Sequence, residues 1–92
     1  MYKISVTSKF KKDLKRCEKR GLPLQELAKV LDILTSNGGQ LPPQYRQHRL
    51  TGNYAGKWEC HIKSDWLLVW EQRDDELILL MTDTGSHSDL FD

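Results

Sequence analysis

The chain has 92 residues, 38% hydrophobic and 29% charged, with a formal net charge of +1. That length supports one domain spanning residues 1–92, because two cores would each bury too little apolar surface to offset chain entropy. Its longest apolar runs, 66–70 and 77–81, are too short to cross a bilayer, and Lys3, Lys9, Lys11 and Lys12 stand where a signal peptide needs apolar residues. Cys17 and Cys60 make neither a C-x-x-C pair nor a disulfide framework, so a cytoplasmic, reducing setting with no membrane partner is expected.

In chain order, Tyr2 to Val6 alternates with the period of a strand, Tyr2, Ile4 and Val6 on one side. Ser8 is placed to cap a helix whose apolar positions Phe10, Leu14 and Cys17 recur at helical spacing, and Gly21 supplies its left-handed stop. Pro23 opens a second helix with a stripe of Leu24, Leu27, Ala28, Leu31 and Leu34, ended by Asn37-Gly38-Gly39. After an extended connector with Pro42 and Pro43, residues 45–50 are expected as a short strand and 51–53 as a turn. Trp58, Cys60 and Ile62 then alternate with Lys57, Glu59, His61 and Lys63, which gives a strand with one apolar face and one that carries His61. Residues 66–71 read as a central strand, 72–75 as a hairpin loop, 76–83 as the last strand, and Thr84-Gly85 as the break that ends its pairing. The order β-α-α-β-β-β-β predicts an α+β fold, a largely antiparallel sheet with helices on one face and the other partly open.

Charge is divided along the chain. Residues 1–49 carry eleven basic and four acidic side chains, residues 50–92 three and nine. The basic helix from Lys9 to Arg20 suits either an RNA backbone or an acidic partner, and reads equally as a solvated helix face. All three histidines, His48, His61 and His87, lie in the second half together with Asp65. Histidine exchanges protons near neutral pH, so this concentration points to acid-base chemistry. Three histidines and an aspartate also suit zinc by type, but no H-x-x-x-H or C-x-x-C pair accompanies them, and neither metal nor cofactor is expected. Cys17 and Cys60 sit on apolar stripes and read as small core residues.

Three ordered stretches carry a family resemblance: Tyr45-Arg46-Gln47-His48-Arg49-Leu50, Gly56-Lys57-Trp58-Glu59-Cys60-His61-Ile62 with Asp65-Trp66, and Thr84-Gly85-Ser86-His87-Ser88-Asp89-Leu90-Phe91. Together they resemble the YafQ branch of the RelE-like toxins of bacterial toxin-antitoxin pairs, over essentially the whole chain. The resemblance implies a RelE-like fold and a ribosome-dependent endoribonuclease that cuts mRNA without a metal, held silent in a hetero-oligomer by a cognate antitoxin. It implies functional positions at His48, His61, Asp65, Trp66, His87 and Phe91.

On that reading His87 is the general acid and Asp65 or His61 the base, the two labels being open to exchange, and His48 orients the 2′-OH or stabilises the phosphate. Trp66 and Phe91 are stacking candidates; Trp66 reads equally as a core tryptophan, and the alternative for Phe91 is a terminal residue packed back onto the sheet. Lys57 and Lys63 share a strand face with His61, which favours phosphate contact. One departure stands out: YafQ-type relatives often place Arg two residues before the glycine of the Thr/Ser-Gly pair, and this chain has Asp83 there. Asp83 turns away, or Arg46, Arg49, Lys57, Lys63 or Arg73 supplies the charge, or catalysis is weak. The alternative function is a non-catalytic module that binds antitoxin or RNA.

Overall fold

The computed structural model describes residues 1–91. They form β1 (Lys3–Val6), α1 (Ser8–Lys19), α2 (Leu24–Ser36), β2 (His48–Arg49), β3 (Lys57–Lys63), β4 (Trp66–Arg73), β5 (Ile78–Gly85) and α3 (His87–Phe91), with 3₁₀ turns at Pro43–Tyr45 and Gly52–Tyr54. The sheet order is β1-β5-β4-β3-β2. Every pairing is antiparallel except that of β1 with β5. This is the α+β arrangement expected from the element order.

The helix hairpin covers one face. Phe10 and Cys17 of α1 and Leu27, Val30 and Leu34 of α2 form a core with Cys60, Ile62, Trp66, Leu68, Trp70, Leu79 and Met81 of the sheet. Thr7, one residue earlier than expected, is the cap of α1: its hydroxyl accepts from the Phe10 N–H. Gly21 ends that helix at φ 78. On α2 the buried line passes through Val30, and Ala28 faces solvent. Both cysteines are free and buried, as anticipated, and burial pushes the Cys60 thiol up to about 12.

The β4–β5 hairpin loop falls later than expected, β4 running on to Arg73 and β5 beginning only at Ile78, and three further differences from the sequence expectation bear on the site. Residues 45–50 yield only a two-residue strand, because Pro43 starts a 3₁₀ turn and Arg46 then takes a left-handed conformation (φ 50). Thr84-Gly85 does not break the sheet: the two residues pair with Leu68 and Leu67, past a bulge opposite Val69 and Trp70. They stay in the strand because α1 serves the outer edge of β5 beyond the end of β1. The Thr7 hydroxyl donates to Thr82 O (3.5 Å), Asp13 Oδ2 accepts from the Thr84 N–H (3.1 Å) and Arg16 Nη2 donates to Thr84 O (3.1 Å), so side chains replace a neighbouring strand. The third difference is α3, too short for a periodic pattern but announced locally by a reciprocal cap. The Ser86 N–H donates to Asp89 Oδ2 (2.9 Å) and the Asp89 N–H donates to Ser86 Oγ (3.1 Å).

Candidate active site

Cross-strand partners project from the same side of a sheet, so the register sorts the second half of the chain into rows on the face away from the helix hairpin. One row is His48, Glu59, Val69 and Asp83; the next is His61, Leu67 and Gly85. A bulge between His61 and Lys63 lies beside the second row. Two strand spacings put the His61 and Gly85 backbones roughly 10 Å apart. From Gly85 the chain turns directly into α3, which begins at His87.

Asp65, in the β3–β4 turn, accepts the His87 N–H at 3.0 Å through Oδ1. The base of α3 is fixed from the other side by Asp89, which Arg20 grips through both terminal nitrogens (2.5 and 3.1 Å) and Arg16 approaches at 3.7 Å. The Arg20 guanidinium, and then the Ser86 amide, hold the Asp89 carboxyl well below the usual carboxylate range. Gly85 lets this clamp close: a Cβ there would lie 2.8 Å from Arg16 Nη2 and 2.8 Å from Asp89 Oδ2. Position 87 is therefore placed by α1, the β3–β4 turn and the end of β5 together.

His48 and His61 stand with ring centroids 6.3 Å apart. The His48 Nδ1–H donates to Arg46 O (2.8 Å), and Nε2 lies 3.0 Å from Glu59 Oε1. A cleft of about 220 Å³ opens beside His61, lined by Gln44, Arg46, His61, Ile62, Lys63 and Ser64. On α3, His87 lies 5.1 Å from Phe91, and Phe91 meets the edge of Tyr54 at 5.1 Å. The Tyr54 hydroxyl donates to Leu90 O, and Lys57 Nζ stands 6.0 Å from the Tyr54 ring.

The candidate residues thus divide. Past the bulge Lys63 pairs in register with the core residue Trp66 and reaches Glu26 of α2 at 3.5 Å, so it rims the cleft and does not share the strand face of His61, where alternation placed it. His48, His61, Asp65, His87, Phe91, Arg46 and Lys57 lie on or beside the open face. Trp66 and Arg49 do not. Trp66 is 2% exposed and donates its indole N–H to Thr84 Oγ1 (3.0 Å), so it is a core residue with no ring face to offer a base. Arg49 pairs in register with Trp58 and lies over that ring at 5.1 Å, on the opposite side of the sheet from its neighbour His48. Asp83 does not turn away: Lys9 reaches it at 2.7 Å, the Thr82 hydroxyl donates to it at 2.9 Å and Lys57 lies 4.0 Å off. Glu59 and Tyr54 belong to the site although neither was singled out from the sequence. Strand alternation placed Glu59 on the His61 face, but nothing local marked it as buried.

The model of the family described as "Bacterial toxin of type II toxin-antitoxin system, YafQ" matches residues 2–92. The chain belongs to the YafQ family. Among its YafQ relatives, the mRNA interferase toxin YafQ of Escherichia coli K12 is 31% identical over 88 residues, 96% of this chain and 94% of that protein. The fold matches the toxin in the crystal structure of the E. coli DinJ-YafQ complex with a TM-score of 0.89, at 29% identity over 100% of both chains. It also matches a metal-bound toxin from Helicobacter pylori with a TM-score of 0.89, at 41% identity over 99% of this chain and 100% of that one. Among the described residues here, no group of three or more His, Cys, Asp or Glu side chains is placed to hold a metal ion, and His48 and Glu59 make only a pair. The YafQ face of this chain offers imidazoles, carboxylates and ammonium groups, a set suited to proton transfer beside a phosphate.

Proposed function

We propose that this YafQ-family chain is an mRNA interferase, an endoribonuclease that cuts mRNA on the ribosome by metal-independent acid-base chemistry and is neutralised by a cognate antitoxin. The observation that carries this reading is the register row that runs from His61 to Gly85, two residues before His87, with Asp65 holding the His87 backbone. A base takes the proton of the ribose 2′-OH, the 2′-oxygen forms a bond to the adjacent phosphorus, and the bond to the 5′-oxygen breaks as an acid protonates it. The products are a 2′,3′-cyclic phosphate and a free 5′-hydroxyl. His61, half-buried beside the basic cleft, is the base, because an Asp65 oxygen is already engaged in capping α3. His87, exposed at the head of α3, is the acid. Arg46 and Lys57 are the phosphate-facing cations, and Phe91 the base platform.

The shallowness of the site supports dependence on the ribosome. A cleft of about 220 Å³ with a few cations does not by itself hold a flexible strand in the in-line geometry that the attack requires. The antitoxin reading is supported by the DinJ-YafQ complex of the E. coli relative. Programmed ribosomes with a labelled message supply the test. The protein should give fragments with 5′-hydroxyl ends, and His87→Ala should cut about 10²- to 10⁴-fold more slowly with unchanged melting. Asp83, a carboxylate on the open face paired with Lys9, favours the alternative of a binding module without cleavage. Intact message under these conditions, with antitoxin binding retained, would establish that alternative.

A further inference from the structure

His48 is enclosed by acceptors. The carbonyl oxygen of Arg46, 2.8 Å from Nδ1, can only accept, so the hydrogen on Nδ1 is present and donates. Nε2 lies 3.0 Å from Glu59 Oε1, a contact that requires a further hydrogen on one of those two atoms. Glu59 is 5% exposed, and its Oε2 has no hydrogen-bond partner among the described residues. Arg46 presents its carbonyl from a left-handed conformation that only glycine adopts freely, so the backbone is held in an unfavourable region at the residue that clamps the ring.

We propose that Glu59 is a positioning residue that keeps hydrogens on both ring nitrogens of His48, so that His48 stands in the site as a fixed imidazolium and not as a proton acceptor. Of the two bases that compete for the second hydrogen, imidazole is intrinsically stronger than a carboxylate by about two pK units. The ring also keeps contact with water, its side chain being 46% exposed against 7% for Glu59. The titratable groups that face His48 are Glu59 and His61 from β3 and Arg46 from the preceding turn. Asp83, farther along the same row, is already paired with Lys9. With neither ring nitrogen offering a lone pair, His48 does not take the 2′-OH proton, which leaves that task to His61. What His48 brings is positive charge, in a site whose position 83 is a carboxylate.

The catalytic part of this inference rests on the proposed nuclease activity; the protonation part does not. Selective ¹⁵N-histidine labelling, with His48 assigned from His48→Gln, reads the hydrogen on each ring nitrogen directly. At pH 7.5 the wild-type protein should show two N–H-type nitrogens at His48. In Glu59→Gln, whose amide can donate to Nε2, that nitrogen should become lone-pair type while Nδ1 keeps its hydrogen. A lone-pair nitrogen at His48 in the wild type overturns the proposal whether or not the variant folds, and so does a folded Glu59→Gln with an unchanged spectrum. On programmed ribosomes Glu59→Gln should slow single-turnover cleavage at least tenfold with binding unchanged; cleavage at the parent rate overturns the catalytic role. A wild-type protein that leaves the message intact sinks the nuclease reading and the catalytic role with it, while the nitrogen spectrum still decides the state of His48.

Discussion

Asp13 tests the idea that α1 stands in for a strand along β5. It is 3% exposed, accepts the Thr84 N–H at 3.1 Å, and also receives Lys9 at 2.9 Å and lies 3.3 Å from Arg16. In Asp13→Ala, Lys9 keeps Asp83 and Arg16 keeps Thr84 O, so the main loss is the acceptor for one buried amide. An orphaned buried donor costs about 1–3 kcal/mol, and losing hydrogen bonds to a charged acceptor adds to it, so the variant should lose about 2–4 kcal/mol. For a domain of this size that is a fall in Tm of roughly 10–25 °C. Asp13→Asn retains an oxygen for the amide and should lose less than half as much. Thermal unfolding of the three proteins, with hydrogen exchange at the Thr84 amide, measures both parts. If Asp13→Ala melts with the parent, or Thr84 stays equally protected in it, then α1 does not complete the sheet edge and its hold on the strand leading to His87 is not real.

Gly85→Ala should push Arg16 and Asp89 apart at the root of α3; cleavage should fall at least tenfold, with a smaller change in Tm, and equal activity would show that the clamp does not place His87. Asp89 has a folded-state pKa depressed below its unfolded value, so its contribution is present above about pH 4 and is lost as pH falls toward the folded value. The Tm gap between wild type and Asp89→Asn should therefore be largest near neutral pH and close progressively below pH 4, and a gap independent of pH would contradict the Arg20 pairing as its source. Asp83→Arg should lower Tm, because it sets a third cation beside Lys9 and Lys57 in place of their carboxylate partner; unchanged melting in a denaturation series would count against that network.

The element order as far as β5, the helix hairpin, the two-faced β3 and the core cysteines were legible in the sequence because each follows from the spacing of apolar residues along a local segment. The same alternation put Glu59, His61 and Lys57 on one side of the sheet, and the ordered histidine-bearing stretches pointed to the family. What sequence did not decide are distances and burial between segments remote along the chain. Trp66 as core and Arg49 on the opposite face depended on strand register. Burial of Glu59 against His48 depended on a two-residue β2, which the left-handed Arg46 delimits. The persistence of β5 through Thr84-Gly85 came from side chains of α1 and its cap about 70 residues away, which satisfy backbone groups that no local pattern accounts for. Apolar periodicity is a property of neighbours in the chain, whereas pairing of buried polar groups is a property of neighbours in space, and in this protein the site is built mainly from the second.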